Sequence, residues 1–281
     1  MKISRRSMLK TSIAAAAVAA VTENPILAAK KETDEVRIIY LGGDYWHNGM
    51  MQERNIRGVL GNTPKNWRLF FAQTAGIVTP EVLADTDLLM ICRYSGPDTQ
   101  GFSTDRMVEH RPESTPFMTD ELETAIISNV KRGMGYMSIH CGVWNGEKKG
   151  YMNLIGVEKP YMHTKVQPTL LHELNPTHPI TKGVPESMFG DDEIFSADLI
   201  PGKSEVLFKL KGEEQPQDKA GGWCREEGKG RVVALLPGHQ ADPYHDSSYK
   251  EILWRSIHWA MKKDIPPSDF AKERNYKSFK I

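Results

Sequence analysis

The residues best suited to chemistry stand where apolar runs of the chain give out. Asp44, Trp46 and His47 follow Val36–Leu41, and Arg93 and Tyr94 follow Asp87–Cys92. His140, Cys141 and Trp144 close the run Gly135–His140, and His239 and His245 follow Arg231–Leu236. Neutral imidazoles with a carboxylate form an open divalent-metal site, and the same groups serve as general acids and bases. His140, His239 and Glu193 are therefore the candidate catalytic groups. His140, His163 and His239 are the candidate ligands of one divalent transition metal, and no nucleotide cofactor is expected. Trp46, His47, Arg93, Tyr94, Trp144, Trp223 and His245 are the candidate substrate contacts.

Each of these residues also has a plainer use. A single loop histidine is ordinarily solvated, and a single tryptophan ordinarily packs. His258 lies beside Trp259 and reads as a packing residue, His178-Pro179 as turn punctuation, and His110 as exposed. Glu193 follows Asp191-Asp192, which by itself describes a solvated acidic turn. His140 and His239 stand apart because neither position needs a histidine for folding.

Gly135-Tyr136-Met137-Ser138-Ile139-His140-Cys141-Gly142 is the most specific local feature. A buried strand running into a tight turn, with glycine two residues after the reactive position, is the geometry of a nucleophile elbow. In class I glutamine amidotransferases the elbow residue is a cysteine, then one residue, then glycine. In that register the elbow position is His140, and Cys141 comes one residue late. Glutaminase chemistry is disfavoured for that reason.

The elements that must position these groups alternate. Val36–Leu41, Trp67–Gln73, Asp87–Cys92 and Gly135–His140 read as strands, and helices are expected over Met50–Leu60, Thr79–Ala84 and Asp120–Arg132. Continuous apolar strands between helices argue for a parallel, doubly wound sheet with helices on both faces. Gly96–Pro116 reads as a long polar loop. Farther on, Thr164–Leu171, Glu205–Lys211, Gly222–Glu226 and Arg231–Leu236 are short strands between turns, which suggests an antiparallel extension. Tyr249–Lys262 is an amphipathic closing helix. The expectation is one α/β domain over residues 36–262, flavodoxin-like or class I glutamine amidotransferase-like, with a loosely held tail over 263–281. Ligands of such sheets bind beyond the carboxyl ends of the strands.

Residues 1–29 read as a twin-arginine signal peptide: Arg5-Arg6, the weakly apolar run Ile13–Val21, and Leu27-Ala28-Ala29 for a peptidase. The apolar run is shorter than the roughly 20 residues that span a bilayer, so no stable membrane insertion is expected after cleavage. The expected location is periplasmic or secreted, with the twin-arginine machinery as a partner. That route carries folded proteins, often with a cofactor already in place. The full chain is formally neutral, and loss of the leader removes four positive charges and one negative, leaving −3. No Lys/Arg run survives, so nucleic acid is not an expected partner. Cys92, Cys141 and Cys224 match no zinc spacing, and an odd count excludes full disulfide pairing. The oligomeric state is left open.

The elbow segment 135–140, then His163, His178-Pro179-Ile180-Thr181, Asp192-Glu193-Ile194-Phe195, Trp223, Gly228–Val233 and Gly238-His239 stand in an order that resembles trehalose-utilisation (ThuA)-like domains. Ile257-His258-Trp259-Ala260 resembles that family's C-terminal segment. The resemblance implies a class I glutamine amidotransferase-like fold without the glutaminase nucleophile. It also implies a small sugar or glycoside as ligand, in particular one oxidised at the 3-position. The long insertion 96–116 and the bulky turn Trp144-Asn145 depart from the family pattern and would reshape a sugar pocket.

Three functions then compete: metal-assisted lyase or hydrolase action on 3-keto glycosides, with Trp46, Tyr94, Trp144 and Trp223 stacking on sugar faces; sugar binding without turnover; and a residual cysteine-dependent hydrolase using Cys141. Cys141→Ser isolates the third. The substitution is expected to leave activity intact, measured beside thiol alkylation of the unmodified protein, and loss of all turnover would restore the thiol mechanism.

Overall fold

The computed structural model describes residues 34–44, 46–61, 63–94, 117–144 and 148–270, with the side chains of 215–218 left aside. The signal peptide, the 96–116 loop, Tyr45, His110, Asn145 and the tail beyond 270 lie outside the described residues.

The apolar runs form the expected parallel core. β1 (Val36–Gly42) is buried along its whole length, as are β3 (Leu88–Cys92) and β4 (Gly135–Ile139), because helices cover both faces. β1 pairs in parallel with β2 (Trp67–Ala72) and with β3, β3 with β4, and β4 with β11 (Gly230–Leu235). The order β2-β1-β3-β4-β11 is that of a flavodoxin-like sheet. Helices α1 (Gly49–Val59), α2 (Pro80–Ala84), α3 (Asp120–Arg132), α4 (Lys149–Ile155), α5 (Asp242–His245) and α6 (Ser247–Ala260) are the α-helices among the described residues.

Local chemistry explains the boundaries. The Thr119 side chain accepts from the Leu122 N–H, three acids fill the first turn of α3, and Gly133 at φ 136° ends it. The helix therefore has the bounds expected from sequence. Helix α6 begins two residues earlier than expected because the Asp246 carboxylate caps it, accepting from the Tyr249 N–H at 2.8 Å.

Beyond β11 the sheet turns antiparallel through β10 (Gln215–Glu227), β9 (Glu205–Gly212), β6 (Gln167–His172) and β7 (Ser187–Asp192). A separate ribbon pairs β5 (Val157–Tyr161) with β8 (Ser196–Leu199). Strands β5, β7 and β8 were not expected. β5 holds Pro160 and two charged residues, β7 bends at Gly190 with φ 96°, and β8 has four residues, so none shows a clean alternation.

Each antiparallel step reverses direction, so β7 runs in the same sense as β11, and its carboxyl end reaches the carboxyl edge of the parallel strands. The extension is tied back there by side chains. The Asp191 N–H donates to Asp242 Oδ2 at 3.0 Å, and Ser187 Oγ donates to the Asp246 carboxylate. Among the described residues no helix is long and apolar enough to cross a membrane.

The turn after β4 tolerates little. A Cβ on Gly142 would stand 2.4 Å from the Ile91 carbonyl oxygen and 2.9 Å from Ser138 Oγ. Gly142→Ala is expected to cost about 1–3 kcal/mol by overpacking, read as a lowered urea midpoint with an unchanged slope; an unshifted midpoint would contradict the tight approach of β3 to this turn.

Candidate functional site

The site grows from two imidazoles that are each held by one nitrogen. His140 begins the single 3₁₀ turn 140–143 after β4 at φ 48°, a backbone region a residue with a side chain seldom occupies. That turn is braced from below. The Tyr151 hydroxyl donates to the Gly142 carbonyl at 2.8 Å and meets the Tyr136 hydroxyl at 2.6 Å. The His140 ring is fully buried, and its Nδ1–H donates to the Leu236 carbonyl at 2.9 Å. Nε2 is left with its lone pair.

His47, in the loop after β1, is held the same way. Its Nδ1 lies 2.7 and 2.8 Å from the two Asp44 oxygens, so the carboxylate takes the Nδ1 hydrogen and Nε2 again keeps the lone pair. Asp44 is itself fixed by the backbone N–H groups of Trp46 (2.8 Å), His47 (3.0 Å) and Tyr94 (2.7 Å). An imidazole whose second nitrogen donates to a carboxylate or a backbone carbonyl is in the orientation used by metal ligands.

Two further groups close on these rings. Glu193, one residue beyond β7, places Oε2 3.2 Å from His239 Nδ1, 3.3 Å from His163 Nδ1 and 3.7 Å from His140 Nε2. Ring centroids of His47, His140 and His239 are 5.1–5.4 Å apart. One coordinating atom from each of His47, His140, Glu193 and His239 falls within a 4.8 Å group. His140 Nε2 and His239 Nδ1 are shut off from solvent without a well-directed hydrogen bond among the described residues. Enclosed polar atoms of that kind call for a partner.

The electrostatics favour neutral His140 and His239 rings beside one anion. Burial pushes His140 down to about 4 and also lowers His239. Burial works against the Glu193 carboxylate, yet the three surrounding imidazoles hold it below its ordinary value. Burial likewise opposes charge on Asp44 and His47, but their mutual bond outweighs it, lowering the acid and raising the imidazole.

The groups singled out in the sequence are sorted by the fold. His140, His239 and Glu193 meet, and His47 joins them as a fourth group within the same 4.8 Å. His163 touches Glu193 from the rim, a third of its side chain exposed, and lies outside the 4.8 Å group. Trp46 is 52% exposed beside His47, and the half-buried Trp144 ring lies 6.5 Å from Phe195. Tyr94 contributes its backbone N–H to Asp44.

Three expectations are corrected. Trp223 is fully buried with its indole N–H on the Ile155 carbonyl at 2.7 Å, so it packs and meets no ligand. Arg93 is also fully buried, its guanidinium donating to the Gly43 and Gln73 carbonyls, which pin the loop after β1. His245 is exposed on α5 and does not join the cluster.

Sequence reasoning missed Phe195, whose ring wedges against His140 (4.8 Å) and His163 (5.2 Å). Its spacing of two from Glu193 was the available signal. Cys141 is enclosed, its sulfur 3.5 Å from His47 Nδ1, and burial drives its thiol well above the ordinary value.

A second trio, His178, Glu205 and Cys224, lies apart. His178 is buried and does more than punctuate a turn. Its Nδ1 accepts the Ile180 N–H at 3.2 Å, so Nε2 bears the hydrogen and faces Cys224 Sγ at 3.4 Å. That tautomer has no lone pair to offer a cation there, and burial pushes Cys224 up to about 12. His258 packs as expected, its rings against Trp254 and Trp67.

Fold and cluster together define a flavodoxin-like α/β domain of the class I glutamine amidotransferase type, with histidine at the elbow. The chain matches the ThuA family, described as trehalose utilisation, over residues 64–260, and it belongs to that family. It also matches the twin-arginine translocation signal over residues 2–22, which directs it to the periplasm or beyond. No curated protein sequence matches it significantly. Among solved structures, a putative ThuA-like protein from Bacteroides uniformis ATCC 8492 superposes with TM-score 0.62 at 17% identity, covering 86% of this chain and 97% of that one. Another from Parabacteroides merdae ATCC 43184 gives 0.61 at 14%, covering 83% and 93%. A cold-adapted β-galactosidase from Rahnella sp. R3 gives 0.53 at 11%, covering 86% of this chain but 33% of that one. At these identities the likeness is one of fold.

The tautomers are directly measurable. In metal-free protein, long-range ¹H–¹⁵N spectra recorded well above the ordinary imidazole pKa are expected to show His47 and His140 protonated at Nδ1 and His178 at Nε2. Nε2–H on His140 would overturn the arrangement derived above.

Proposed function

We propose that this exported ThuA-family protein binds one divalent transition metal through His47, His140, His239 and Glu193 and cleaves glycosides oxidised at the 3-position. The observation that carries the reading is the pair of imidazoles, each fixed through Nδ1, whose lone pairs meet Glu193 and His239 in a group 4.8 Å across. Three imidazole nitrogens and one carboxylate suit a borderline cation such as zinc, whose tetrahedral shell they would fill, so that a substrate oxygen would enter as a fifth ligand. When bound, such an ion would polarise the sugar ketone and stabilise the charge that develops on its oxygen.

The remaining work falls to side chains. A ketone at the 3-position acidifies the proton on the neighbouring carbon. Removal of that proton, with departure of the glycosidic oxygen from the next carbon, leaves an unsaturated ketosugar and a protonated leaving group. His163 is suited to proton transfer. Its Nδ1 lies 2.7 Å from the Thr164 carbonyl, which fixes the ring and keeps the Nε2 lone pair, and it stands at the rim. Phe195 separates it from His140 and keeps water from that side of the cluster. Exposed Trp46 offers a face on which a sugar can stack. Cys141 has no part in this scheme, being enclosed behind the His47 ring.

Untagged protein from metal-replete expression is expected to carry about one equivalent of a transition metal by elemental mass spectrometry. His47→Ala and His239→Ala should each lose it, together with turnover of 3-keto glycosides. Metal-free wild-type protein would overturn the metal reading. Metal-loaded protein that binds but never converts such sugars would leave a binding module.

A further inference from the structure

We infer that Asp192 is a positioning residue for the metal centre, acting by holding Glu193 in place against His239; the inference rests on the metal reading above. Glu193 and His239 come from strands that are far apart in the sheet. β7 is the last strand of the antiparallel extension and β11 the last of the parallel set, with β10, β9 and β6 between them. No ladder bond joins the two strands directly, and both coordinating groups lie beyond the strand ends, so side chains there set how the groups meet.

Asp192 supplies that fixation. The residue is 1% exposed, and its two carboxyl oxygens accept three successive backbone N–H groups from the turn after β11: Gly238 at 2.8 Å, His239 at 2.9 Å and Gln240 at 2.9 Å. The first of these residues adopts φ 146°, where a Cβ would stand 2.7 Å from the Tyr244 hydroxyl and 3.3 Å from His140 Cβ. The turn can therefore curl its amides around the carboxylate only because residue 238 is glycine. One carboxylate thus grips the backbone of His239 while being joined covalently to Glu193. Glu193 Oε2 and His239 Nδ1 stand 3.2 Å apart as a result. A nest of backbone amides around an anion is rigid and directional. The other ties of β7, from Ser187 and Asp191, end on Asp246 and Asp242 and touch no atom of residues 238–240.

The test compares metal affinity in wild type, Asp192→Asn, Glu193→Gln and the double variant by competition with a chromogenic chelator, using Zn²⁺, and records the visible spectrum of the Co²⁺-loaded proteins. Asp192→Asn keeps size and shape but turns one acceptor into a donor facing the amides. It is expected to weaken Zn²⁺ binding about 10–100-fold, the range for loss of a group that orients ligands. Its Co²⁺ spectrum should resemble that of Glu193→Gln, and the double variant should bind no worse than the weaker single. If Asp192→Asn does not fold, Asp192→Glu, which keeps the charge but displaces it by one methylene, should show the same loss and spectral change.

Wild-type affinity and spectrum in a variant whose thermal midpoint has fallen would reduce Asp192 to a structural tie and overturn the inference. Additive losses in the double variant would overturn it too, by showing that Asp192 does not act through Glu193. Wild-type protein that binds neither ion would instead overturn the metal reading itself.

Discussion

His140 is enclosed at the tip of β4 with its backbone at φ 48° and its ring unable to take a proton near neutrality. Those conditions constrain one another. This buried imidazole stays neutral because Glu193 and the Leu236 carbonyl repay only part of the loss of hydration of the charged form. A neutral ring has one hydrogen, and the Leu236 carbonyl claims it at Nδ1. The lone pair then has one direction left, and His47, His239 and Glu193 are arranged about it. The strained backbone is tolerated because β3 presses on Gly142 and Tyr151 holds its carbonyl.

The elbow of this fold is thus put to a different use. In a glutaminase the turn lifts a thiol toward substrate. Here the same position presents a nitrogen lone pair, and the thiol that follows is folded behind His47, where burial keeps it protonated and unreactive. A one-residue offset between cysteine and the glycine of the turn separates the two outcomes. The flavodoxin-like frame is shared, while the chemistry lives in the groups grafted on its edge.

Construction of the site also depends on how the sheet ends. Four antiparallel strands follow the parallel five, and their alternation returns β7 in the same sense as β11. An odd number of strands in the extension would have sent Glu193 to the opposite edge. Three backbone N–H groups of the turn after β11, donating to Asp192, tie the end of β7 to that turn.

Much of this was legible in the residues themselves. Parallel strands buried on both faces betray themselves as unbroken apolar runs, and α3 shows its limits through Thr119 and Gly133 because caps are local chemistry. The leader, the elbow glycine, and the placing of His140 and His239 at strand ends are likewise local facts. What the residues did not disclose was non-local. The sequence around Glu193 looks like a wet acidic turn until β7, four strands from β11 in the sheet, brings it to the turn after β11. Trp223 and Arg93 look like ligand contacts until the packing encloses them, and nothing local to His47 shows that Asp44 turns its ring toward His140 and His239. Periodicity reports which face of an element is buried; only the tertiary arrangement decides which distant lone pairs share a point, since that depends on strand order, sheet curl and tautomer together.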